Sequence, residues 1–181
     1  MLDDEHRKQL LTLARTSIQS AFDGSFDPPD AAPLHEALHR PSGAFVTLRT
    51  LLGDLRGCIG SIYAREALYR AVHSSALSAA FRDPRFSPVR RDELARLHIE
   101  ISVMGQIERV KDVEEVMVGR DGLIISRGRY AGLLLPQVAS EYGWDRQTFL
   151  DQTCVKAGLG PGLWRDAQTV IEKFSAEVFA E

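Results

Sequence analysis

Thiols are scarce in the 181-residue chain: Cys58 and Cys154 are its only cysteines. Two cysteines close at most one bridge, which excludes a disulfide scaffold. The opening Met1-Leu2-Asp3-Asp4-Glu5 is acidic and lacks the apolar stretch of a secretory signal. Reduced thiols in a soluble, cytoplasmic protein are therefore expected. Long apolar runs are missing as well. The longest, Gly132-Leu133-Leu134-Leu135-Pro136, falls far short of the ~20 residues of a membrane span, so no membrane role is expected. Charge of one sign is also in short supply. The formal net charge is −3 and no basic run exceeds Arg90-Arg91. That excludes a protein built mainly to grip nucleic acid, which needs clustered Lys and Arg. No internal repeat or low-complexity tract is present. What the chain does have is apolar residues, 44% of it, enough for the core of one domain spanning residues 1–181.

The pattern along the chain predicts helices around a central group of strands. Asp3 or Asp4 can cap a helix running to about Phe22, with Leu10, Leu13, Ala14 and Ile18 at helical spacing and Gly24 after it. Residues 26–33, rich in proline and aspartate, read as an extended connector, and residues 34–39 as a short helix before Pro41. The period then changes. Residues 43–50 and 55–62 read as a hairpin around Gly53-Asp54. Residues 64–81 read as a helix with a face of small residues. Leu97-His98-Ile99-Glu100-Ile101-Ser102-Val103 alternates as a half-buried strand. A second hairpin is expected from residues 123–126 and 131–135, followed by helices at 137–142, 146–157 and 164–169. With strands in the middle and no βαβ repeat, the expected fold class is α+β, a mostly antiparallel sheet with flanking helices.

His35-Glu36-Ala37-Leu38-His39 matches the H-E-x-x-H zinc pattern, which needs two imidazoles one helical turn apart, a glutamate and a third ligand. The segment is pinned between Pro33 and Pro41 and no second histidine motif follows. It reads as an ordinary amphipathic helix, and no metal is expected. Gly158-Leu159-Gly160-Pro161-Gly162 follows a helix rather than a strand and lacks Lys-Ser/Thr, so it reads as a helix end. Cys154, among Phe149, Leu150 and Val155, reads as core.

The segment Leu55-Arg56-Gly57-Cys58-Ile59-Gly60 has more chemistry. Alternation on a strand puts Arg56 and Cys58 on one face. A nearby cation raises a thiol's thiolate fraction, and the glycines Gly57 and Gly60 could let a ligand approach. The bland alternative is a structural cysteine in a glycine-kinked strand. Asp83-Pro84-Arg85-Phe86 is a rigid turn whose charges could orient an anion or pair with Arg56. His98, Glu100 and Ser102 share the polar face of one strand, where proton transfer is chemically available.

These blocks carry a resemblance. Gly43-Ala44-Phe45-Val46-Thr47-Leu48 with Leu55-Arg56-Gly57-Cys58-Ile59-Gly60, then Asp83-Pro84-Arg85-Phe86, Gly119-Arg120-Asp121-Gly122-Leu123, Leu134-Leu135-Pro136-Gln137-Val138-Ala139 and Cys154-Val155-Lys156-Ala157-Gly158-Leu159 resemble, in order, the AMMECR domain family, called in bacteria and archaea AmmeMemoRadiSam system protein A. The resemblance implies two unequal lobes with a cleft between them, and a functional surface at residues 56–60. It implies company as well: a Memo-type protein related to extradiol dioxygenases, and a radical-SAM protein. It supplies no reaction, and His35 and His39 are outside its pattern. Without a Cys-x3-Cys-x2-Cys motif, no cofactor is expected.

Two functions follow from these residues. One is a cysteine-dependent enzyme acting on a small anionic substrate, with Cys58 as nucleophile, Arg56 stabilising it or binding the anion, and Glu100, His98 or Asp83 as acid/base, and with Gly57, Ile59, Gly60, Asp83, Arg85 and His98 lining the site. The other is a non-catalytic adaptor that docks the Memo-type or radical-SAM partner.

Overall fold

Asp3 starts the first helix, α1 (Asp4–Ala21), by accepting the His6 N–H at 2.9 Å while His6 Nδ1 accepts the Asp3 N–H. Its buried face is Leu10, Ala14 and Ile18, as the spacing predicts. The computed structural model describes residues 2–28, 30 and 33–181, so the connector expected at 26–33 lies partly outside the described residues. The short helix after it is a 3₁₀ turn, Glu36–His39. At three residues per turn, side chains four apart point in different directions. His35 Nδ1 accepts the Ala37 N–H at 3.1 Å, whereas the His39 ring lies 5.2 Å from Tyr69.

Strands β1 (Ala44–Thr50) and β2 (Leu55–Ser61) form the expected hairpin. Helix α2 (Leu68–Phe81) begins four residues later than the pattern predicts. The reason is local: the Ser42 N–H bonds to the Glu66 carbonyl, the Leu68 N–H bonds to the Arg40 carbonyl, and Pro41 bridges Ala67. These bonds keep residues 64–67 out of the helix. A one-turn helix, α3 (Arg91–Leu94), leads into β3 (Leu97–Arg109), which continues six residues past Val103, the expected end. Then come β4 (Asp121–Arg127), β5 (Tyr130–Leu134), α4 (Pro136–Glu141) with proline in its first turn, and α5 (Arg146–Lys156), where Asp145 accepts the Thr148 N–H at 2.7 Å.

Two expectations at the end of the chain need correction. Residues 164–169 do not form a helix. Gly162 at φ +82° opens only a 3₁₀ turn, Leu163–Arg165, and Asp166 is already extended. The last element is a strand not anticipated from the pattern, β6 (Val170–Ala180).

The six strands run in the order β2-β1-β3-β6-β4-β5, with antiparallel pairs β1–β2, β1–β3, β4–β5 and β4–β6. The fold is α+β. The chain divides into two compact units, Met1–Met104 with Glu177–Glu181, and Gly105–Ala176. In the first, α1 and α2 bury Leu10, Ile18, Val72 and Ala76 with Val46, Leu48, Ile99 and Ile101 of the strands. In the second, Leu123, Ile125 and Ile171 pack with Phe149, Leu150 and Cys154 of α5. Among the described residues no helix is long and apolar enough to cross a membrane.

Candidate functional site

Strand β2 is at one end of the strand order and pairs only with β1. Its glycines are not open space. A Cβ on Gly57 would stand 2.2 Å from the Ala79 carbonyl oxygen of α2, and one on Gly60 would stand 2.2 Å from the Ala44 carbonyl oxygen and 2.5 Å from Phe45 Cα. The room expected for a ligand beside Cys58 is thus filled by the protein's own backbone. Gly57 is there because α2 and β2 approach too closely for any side chain. Ile59 packs against the core beneath.

Cys58 is opposite Thr47, which in turn is opposite Glu100 of β3. The Cys58 thiol is half-buried, and Thr47 Oγ1 donates to its Sγ at 3.2 Å. The main-chain groups of Cys58 are satisfied from outside the β1–β2 ladder. Its N–H donates to Asp83 Oδ2 at 2.9 Å, and its carbonyl accepts from Arg85 Nη2 at 3.3 Å. Antiparallel ladders leave alternate residues facing outward, and an outward edge residue is an open template for another strand. The turn after α2 closes that template at Cys58. Arg85 in turn grips Asp83 with two nitrogens, at 2.9 and 2.7 Å.

Arg56 is beside a bulge, where the register shifts between Leu48 and Arg49. Its guanidinium meets Glu93 of α3 at 3.1 and 3.2 Å and reaches the Pro88 carbonyl at 3.5 Å. Arg56 Nη1 is buried without a partner. The expected pairing of Arg56 with Asp83 is not made, and no hydrogen bond joins Arg56 to Cys58; the cation at Cys58 is Arg85. Glu100 faces Arg49 at 3.9 Å, and His98, opposite Arg49 in the register, is exposed. Ser102, on the same strand face, is buried, so that face is not uniformly wet.

The electrostatics follow these pairings. The Arg85 hydrogen bonds hold the Asp83 carboxyl far below the usual carboxylate range, against the opposing effect of its burial, and the Cys58 N–H adds to the effect. Asp83 is thus an anion, not a proton carrier, near neutral pH. Arg56 likewise lowers the Glu93 carboxyl, helped by the Arg90 N–H. Cys154 is a different thiol, fully buried in the core of the second unit, with burial pushing its pKa up. Among the described residues no group of three His, Cys, Asp or Glu is arranged to hold a metal ion.

Two contacts were not anticipated. Thr47 is the side chain that touches the thiol, and Glu93 is the partner of Arg56. Counting back through a two-residue Gly53-Asp54 turn would put Arg49 opposite Cys58; the longer turn and the register shift between Leu48 and Arg49 bring Thr47 there instead, and the local pattern announces neither. Glu93 is 37 residues from Arg56, and no local pattern joins them.

An edge strand bearing a thiol, fixed by an Asp–Arg turn on an antiparallel α+β frame, defines the structural class. Residues 11–179 match the AMMECR1 family. The chain belongs to this family. It is 42% identical to a protein of Thermococcus gammatolerans over 99% of this chain and 92% of that one, and 38% identical to a protein of Nanoarchaeum equitans over 95% and 98%. The crystal structure of an uncharacterised protein from Pyrococcus horikoshii superposes with a TM-score of 0.90 at 40% identity, covering 99% of this chain and 93% of that one. None of these names carries an activity.

Proposed function

We propose that the chain is a binding module that works with protein partners, and that the strand at residues 56–60 is its recognition surface. One observation supports this reading. Asp83 and Arg85 hold both main-chain groups of Cys58, while the charges around the strand are spent on each other: Arg56 on Glu93, Arg85 on Asp83, Arg49 on Glu100. A strand fixed in this way loses little freedom when a partner docks, which favours binding. A neighbouring base is one way to activate a cysteine nucleophile, and among the described residues the side chain bonded to this thiol is a hydroxyl. The family resemblance names the partner classes, a Memo-type protein and a radical-SAM protein.

Isothermal titration of the purified chain against each of those two proteins from the same organism tests the reading. At least one should bind. Arg85→Ala should weaken that binding about tenfold, an effect of the size seen when an interface anchor is lost, while Cys58→Ser should leave it within about threefold. Absence of binding to both would refute it.

A second reading, a cysteine-dependent enzyme acting on a small anionic substrate, is favoured by the Thr47 Oγ1–Cys58 Sγ contact at 3.2 Å. In that reading Cys58 attacks, Arg56 binds the anion, and Glu100 carries the proton. Cys58→Ser would then abolish function while partner binding persisted.

A further inference from the structure

We draw no further inference here: the strongest candidate, the apolar turn at Leu51 and Leu52 between β1 and β2 with the groove beside it, carries nothing because Asp54, Asp92 and Glu93 balance Arg56, Arg90 and Arg96 around it and nothing in the structure shows what covers it.

Discussion

Strands β2 and β5 close the two ends of the strand order, and each carries a glycine beneath the end of a helix. A Cβ on Gly57 of β2 would stand 2.2 Å from the Ala79 carbonyl oxygen of α2, and a Cβ on Gly132 of β5 would stand 2.4 Å from the Ala157 nitrogen at the end of α5. Against each of these strands a helix packs on the sheet face, and it comes close only because the strand has no side chain there. The chain beyond each helix then differs. After α5, Gly158 at φ +78° turns the backbone away, with Leu159 bonding back to Cys154. After α2, Asp83 and Arg85 come back and bond the edge strand itself. The comparison teaches that the close glycine–helix contact does not depend on an ionic turn. The ionic turn at β2 is an addition, and it is on the strand that carries the half-buried thiol.

The largest effects should come from the shared device. Gly57→Val and Gly132→Val each place a side chain into backbone, and each should cost about 3 kcal/mol in urea unfolding. If either variant unfolds at the wild-type denaturant concentration, the close approach is not the reason for that glycine.

The second effect separates the two edges. Asp83→Asn should cost about 2 kcal/mol at pH 7, the scale of a hydrogen bond to a buried charged group. Because the folded state lowers the Asp83 carboxyl, its contribution is complete above the unfolded value of about 4 and is lost as pH falls below it. Wild type and Asp83→Asn should therefore converge in stability in acid. A gap that stays constant from neutral pH into acid would show that the Asp83 charge is not what holds the turn.

The two thiols give the third. Cys58, half-exposed, should react with iodoacetamide in the folded protein at least about tenfold faster than Cys154, which is buried with a raised pKa. Equal rates in the native state would place both thiols in the same kind of environment. The smallest effect belongs to Arg56. Arg56→Ala removes a partly screened pair with Glu93 and a nitrogen that already lacks a partner, so urea unfolding should shift by about 1 kcal/mol or less. A loss as large as that of Asp83→Asn would make Arg56, not the Asp83 turn, the brace of β2.

Much of this frame is readable in the chain. Strand β1 is rich in β-formers, the turn carries Gly53-Asp54, and β3 alternates strictly from Leu97 to Val103. Strand β6 is not readable in the same way. Its buried residues Ile171 and Phe174 are three apart, not two, so the period that announces a half-buried strand is absent. The extension of β3 is hidden by Gly105, which reads as a breaker. In the fold it is a contact glycine, its missing Cβ replaced by Ser175 Oγ. At the site, the strand itself and the Asp83–Arg85 turn stand out as motifs. Their joining does not, because Asp83 meets the Cys58 main chain across 25 residues and a main-chain hydrogen bond leaves no trace in side-chain pattern. Sequence distance likewise hid the Arg56–Glu93 pair, whose side chains are 37 residues apart.

The central claim is that the braced strand at residues 56–60 is a surface that partners dock on. Hydrogen exchange of the strand Leu55–Ser61, followed by mass spectrometry with and without a saturating Memo-type or radical-SAM partner, tests it most directly. The account predicts slowed exchange in this strand and in the Asp83–Arg85 turn, unchanged when Cys58 is replaced by serine. A partner that binds tightly yet protects only other segments, or protection that vanishes with the Cys58 thiol, would contradict it.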